Sequence, residues 1–86
     1  MTGSYSLLLK KSAERELRKT PKADLLRITQ RIKELAAIPR PSGNEKLAGQ
    51  NSYRIRQGDY RVVYTVDDNQ KLIEIIKIGH RREVYR

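Results

Sequence analysis

The stretch Tyr53-Arg54-Ile55-Arg56-Gln57-Gly58-Asp59-Tyr60-Arg61-Val62-Val63-Tyr64 decides how this chain folds. Two runs rich in Tyr, Val and Ile flank Gly58 and Asp59, the pattern of a β-hairpin with a short glycine-containing turn. With a two-residue loop, Gln57 faces Tyr60, Arg56 faces Arg61, Ile55 faces Val62 and Tyr53 faces Tyr64. Side chains alternate across a sheet, so one face collects Tyr53, Ile55, Tyr60, Val62 and Tyr64. The other collects Arg54, Arg56 and Arg61, with Val63 and Thr65. A three-residue loop would mix Ile55 with Arg61 and Arg56 with Tyr60, which destroys the segregation. The even loop is therefore preferred.

That pairing sets Arg56 directly across from Arg61, and like charges placed opposite each other cost stability. An anionic ligand relieves the cost, and guanidinium forks match phosphate oxygens. The plainer alternative is a solvated sheet face on which arginine stems cover apolar surface. Both stay open on the hairpin alone.

Eighty-six residues make a single domain over 1–86. Nineteen Lys and Arg against ten Asp and Glu give a net charge of +9, which points to a polyanionic partner without choosing among RNA, DNA, anionic membrane and acidic protein. Residues 1–49 hold 11 basic and 5 acidic side chains and residues 50–86 hold 8 and 5, so no detachable basic tail exists. No Cys is present and there is one His, which excludes thiol chemistry and a disulfide framework and argues against a zinc site. No cofactor is implied. The longest early aliphatic run, Leu7 to Leu9, is too short for a signal sequence or a membrane span, and the expected location is the cytoplasm.

Working outward from the hairpin, Tyr5 to Leu9 reads as a strand ended by Lys10 and Lys11. Ser12 is expected to cap a helix with Glu14 in its first turn, running to about Lys19. Thr20-Pro21 opens a second helix, with Pro21 at its first position and Leu25, Ile28, Ile32 and Leu35 as one apolar stripe. It should end by Ile38, before Pro39. Arg40 to Gly49, punctuated by Pro41 and Gly43, reads as a loop anchored by Leu47. Asp67 to Gln70 reads as a polar turn, preferred over a cation site. Leu72 to Ile78 reads as a central strand covered on both faces and broken by Gly79.

The order is β-α-α-β-β-β, an α+β fold in which a small, mainly antiparallel sheet carries two N-terminal helices on one face. Helices over Tyr53, Ile55, Val62 and Tyr64 leave the arginine face open.

The hairpin, its approach KLAGQNSYRIRQGDYRVVY and the closing IGHRREVYR together resemble the RelE branch of the RelE/ParE toxin superfamily, over nearly the whole chain. The resemblance implies a toxin that cleaves messenger RNA in the ribosomal A site and is neutralised by a cognate antitoxin in a hetero-oligomer. It implies an active centre of hairpin residues Arg54, Arg56 and Arg61 with Arg81 and Tyr85 near the end. The best-known members carry lysines where this chain has Arg54 and Arg56. Some also carry a terminal helix beyond the position of Arg86.

Metal-independent RNA cleavage uses the 2′-hydroxyl as nucleophile and leaves a 2′,3′-cyclic phosphate. It needs a proton acceptor, stabilisation of the phosphorane and a proton donor for the 5′ oxygen. Arginines do the second job and hold their own protons too tightly for the others. His80 and Tyr85 are the preferred proton-transfer candidates, against a surface histidine in a turn and a tyrosine packed on the core edge. Glu83 reads as an ion-pair partner and Tyr60 as a core residue. Two other readings remain: a ParE-like inhibitor of DNA gyrase without nuclease activity, and a non-catalytic basic RNA-binding module.

Overall fold

The computed structural model describes residues 4–47 and 51–80. Seven elements follow one another: β1 (Ser6–Leu9), α1 (Lys11–Lys19), α2 (Lys22–Leu35), β2 (Glu45–Lys46), β3 (Ser52–Gln57), β4 (Tyr60–Asp67) and β5 (Leu72–His80). The strands form one sheet in the order β1-β5-β4-β3-β2. Among the described strands only the β1–β5 pair is parallel. The sheet is thus mainly antiparallel, with both helices packed into the one core cluster that also takes the inner sheet residues.

The hairpin has the expected register at every rung, from Ser52 opposite Thr65 to Gln57 opposite Tyr60. Its turn is Gly58-Asp59, and Gly58 takes φ +61, a left-handed conformation that costs a glycine little and an L side chain more. On the inner face Ile55, Val62 and Tyr64 are fully enclosed, and the Tyr53 and Tyr64 rings stack across the strands with centroids 5.8 Å apart. Ile28, Ile32 and Leu35 of α2 and Ala13 of α1 close the core over them. The helical stripe is as expected, with Leu25 partly buried at its start and Leu26, off it, 60% exposed.

The helix ends differ in detail. Lys10, not Ser12, occupies the N-cap of α1, and its carbonyl accepts from Glu14 N–H at 2.9 Å. The helix therefore begins two residues earlier than a Ser12 cap would require. Pro21 is the N-cap of α2 rather than its first helical residue. That helix stops at Leu35, and Ala36 and Ala37 form a turn ahead of Pro39.

Strand β5 is central in the sheet, between β1 and β4, and Gly79 does not end it. Instead its register slips between Val63, which faces Lys77, and Tyr64, which faces Ile75. Ile76 is the extra residue of a β-bulge, which reverses which side chains face inward beyond it. Ile73 and Ile75 point to the helices before the bulge, and Ile78 does so after it.

One end of the sheet is tied to the loop after α2. Arg40 donates from Nε to the Tyr53 hydroxyl at 2.9 Å and from Nη2 to Asp68 Oδ2 at 2.8 Å, with its guanidinium 5.1 Å from the Tyr53 ring centre. Tyr5 donates its hydroxyl to Asp68 Oδ1 at 2.6 Å, and Tyr64 donates to the Pro39 carbonyl at 2.7 Å. The turn after β4 therefore has a fastening role beyond reversing the chain.

Candidate active site

The helices cover one face of the sheet, and the hairpin register places Arg54, Arg56 and Arg61 together on the other. They differ in setting. Arg56, near the hairpin tip, is exposed and has no hydrogen bond or ion pair among the described residues. Arg61 lies directly across from it on the second strand of the hairpin and is only 5% exposed. Its other neighbour in the ladder is Gly79, which puts no side chain on that face. Arg54 is intermediate, with its side chain 16% exposed.

Arg54 has a partner that sequence reasoning missed. Within the stretch read as a loop, Glu45 and Lys46 form the short edge strand β2, in register with Arg54 and Tyr53. Glu45 faces Arg54 across the ladder, and its Oε1 accepts from both Nε and Nη2 of that guanidinium. The bond to Arg54 holds the Glu45 carboxyl below its ordinary range, helped by the charge of Arg54 and, more weakly, by those of Arg56 and Arg61. A two-residue strand has no periodicity to read. The available signal was charge: an acidic residue spaced to pair with Arg54 is a favourable cross-strand match.

His80 is not brought to this face. The bulge at Ile76 turns it inward, where it pairs with Tyr60 and meets that ring edge-on at 5.7 Å between centroids. The two rings, with Glu16, Lys19 and Thr20, line a polar cleft of about 250 Å³ beside the end of α1. The thickness of the sheet separates it from the arginines. Tyr60 is accordingly half-buried at the margin of the core. Arg81 and Tyr85, like Glu83, lie outside the described residues. Among the described residues no three His, Asp or Glu side chains cluster as a metal site, and no helix is long and apolar enough to cross a membrane.

The described part of the site is thus a basic face with one carboxylate set into it. It can hold a phosphodiester through guanidinium forks, stabilise added negative charge on phosphorus, and present one carboxylate beside the bound group.

Comparisons with known proteins agree with this architecture. The profile of the family described as "ParE toxin of type II toxin-antitoxin system, parDE" matches residues 7–85. Toxin RelG of Mycobacterium tuberculosis is 29% identical over 86 residues, covering 95% of this chain and 97% of that protein. Among solved structures, the archaeal RelE–RelB complex from Pyrococcus horikoshii superposes with a TM-score of 0.83 at 33% identity, over 91% of this chain and 96% of that one. The isolated E. coli RelE toxin superposes with a TM-score of 0.80 at 31% identity, over 95% and 92% of the two chains.

Proposed function

Because the chain belongs to the family of ParE toxins of type II toxin–antitoxin systems, and is of RelE type within the RelE/ParE superfamily, we propose that it is a ribosome-dependent endoribonuclease. In this reading it cuts messenger RNA in the ribosomal A site, without a metal, by attack of a 2′-hydroxyl to leave a 2′,3′-cyclic phosphate. The observation that carries it is the arginine face: three guanidiniums on the side of the sheet opposite the helices, two of them directly opposed.

Like charges directly opposed disfavour each other, and a bound polyanion relieves that repulsion. Arg54, Arg56 and Arg61 grip the scissile phosphate and offset the charge of the phosphorane. Arg81 and Tyr85 are assigned to the same centre by resemblance, Tyr85 as donor to the departing 5′ oxygen. A site with so few proton-transfer groups gains most from having its substrate aligned, which the ribosome supplies. Its place of action is then the cytoplasm.

Several relatives are described as complexes of RelE with RelB antitoxins. We assign this chain a cognate antitoxin on the same basis, in a hetero-oligomer. An acidic segment laid over the arginine face would neutralise both its charge and its activity.

The test is a translation extract programmed with a defined message, with RNA ends mapped after adding the parent or the Arg56→Ala, Arg81→Ala or Tyr85→Phe variant. Removing one donor to the transition state should cost about 10²–10³-fold in cleavage. Undiminished cutting by all three variants would sink the site. The ParE description of the matching family keeps gyrase inhibition as the second reading; intact RNA together with blocked DNA supercoiling would establish it.

A further inference from the structure

We propose that Lys77 binds messenger RNA at this site, holding the backbone phosphate next to the scissile one, and that the β-bulge at Ile76 is what turns it to the arginine face. The role rests on the ribonuclease reading and deepens it, because it gives the bound strand a path across the sheet.

The bulge decides where Lys77 points. Ile73 and Ile75 are buried toward the helices, so unbroken alternation would carry Lys77 into the core beside them. With Ile76 as the extra residue, Ile78 takes the core position and Lys77 goes to the opposite face, in register with Val63. A buried ammonium without a partner is far costlier than an interrupted ladder. Keeping Ile78 in the core requires only a polar residue at position 77; a positive charge there is what suits it to a phosphate. Lys77 is exposed and makes no hydrogen bond or ion pair among the described residues.

Lys77 extends the arginine cluster into a band running across the strands. Arg54, Val63 and Lys77 occupy one row on β3, β4 and β5, and Arg56, Arg61 and Gly79 occupy the row nearer the hairpin turn. Two strand spacings, about 10 Å, separate Arg54 from Lys77. Lys77 is also the diagonal neighbour of Arg61 across the β4–β5 ladder, at roughly 7–8 Å. A phosphate held between the opposed Arg56 and Arg61 leaves Lys77 to one side, over β5. There it meets the next phosphate of a strand that crosses the sheet.

The row beyond has the opposite character. Thr65 and Glu74 face each other there, and with Asp67, Asn51 and Asn69 they line a polar cleft. Those carboxylates repel a phosphate chain, so RNA gripped by the arginines runs across the strands and not along them. An ammonium is a point charge with three donors and no fixed fork. It suits a phosphate that must be held but does not change during the reaction, so Lys77 contributes affinity and not the rate of the bound complex.

The experiment uses ribosomes programmed with a message blocked by a single 2′-deoxy sugar at the cleavage position, which fixes the register and separates binding from chemistry. Two further messages carry an uncharged methylphosphonate in place of the phosphate on the 5′ or the 3′ side of the scissile one. Affinity is measured at low salt for the parent, Lys77→Gln and Lys77→Arg. Neutralising one of the two flanking phosphates should weaken parent binding about two- to fivefold, the worth of one exposed ion pair. Lys77→Gln should lose the same factor on the intact message and nothing further on the neutralised one, whereas Lys77→Arg should keep the parent's sensitivity. The salt slope of Lys77→Gln should be shallower by about 1. Its circular dichroism should match the parent's, and its single-turnover cleavage of an unblocked message at saturating protein should stay within a few-fold. A parent indifferent to both methylphosphonates, unchanged binding by Lys77→Gln, or a 10²-fold loss of its rate at saturation would each overturn the assignment. An additional loss by Lys77→Gln on every message, neutralised or not, would place its contact on ribosomal RNA and overturn it as well. A parent that leaves the unblocked message intact would overturn the ribonuclease reading itself, an outcome read from RNA ends and not from binding.

Discussion

Tyr60 and His80 face each other across the β4–β5 ladder on the helix-covered side of the sheet, their rings in edge contact at 5.7 Å. The arginine that follows Tyr60 points the opposite way. A histidine so placed contributes to packing and not to proton transfer at the arginine face. His80→Gln should therefore leave RNA cleavage within a few-fold of the parent. It should lower stability by about 1 kcal/mol through loss of the aromatic pair, read from urea denaturation. A loss of 10²-fold or more in cleavage by a folded variant would return His80 to the active centre.

Gly58 tests the hairpin turn separately from its packing. A methyl group at this position would touch nothing within 4 Å, so the whole cost of Gly58→Ala is conformational, set by φ +61. We expect about 1–2 kcal/mol of destabilisation by urea denaturation. A neutral result would mean that the turn relaxes to another conformation at no cost.

The fastening at the sheet end makes stability depend on acidity. Bonds from Arg40 and Tyr5 lower the Asp68 carboxyl below its ordinary value of 3.8. A depressed carboxyl contributes stability that is fully present above its unfolded value and is lost as pH falls through the folded one. The melting temperature of the parent should hold above about pH 5 and fall below pH 4. Asp68→Asn should melt lower than the parent at pH 7, with the difference narrowing as pH falls. A constant difference down to pH 2 would show that the carboxylate charge plays no part.

Much of this fold could be read in the sequence because the hairpin gives two independent signals that agree: a turn residue and face-segregated composition. Only an even loop keeps Arg56 away from Tyr60, and the two-residue loop is the one found. The helix α2 was legible for the same reason, its stripe at Ile28, Ile32 and Leu35 being the one that packs. The site was half legible. The arginine face follows from parity, but His80 was assigned to it from its neighbour in sequence. The bulge at Ile76 broke that link. Its signal was present, since strict alternation from Ile73 and Ile75 would have turned Lys77 toward the helices and Ile78 away from them. The bulge restores Ile78 to the core and carries His80 with it. Glu45 escaped notice because two residues are too few for any period, and only the finished ladder reveals what they face.

The strand that carries Glu45 has a further consequence. Strand β2 is two residues long and lies at the edge of the sheet, joined by its ladder to β3 and followed by one more bond, from Leu47 N–H to the Ser52 carbonyl at 2.9 Å. Arg56 and Arg61 instead ride on the paired interior of the hairpin. Edges with few contacts open locally at far less free energy than the core. The ion pair between Glu45 and Arg54 therefore depends on the most weakly held strand of the sheet, whereas Arg56 and Arg61 do not.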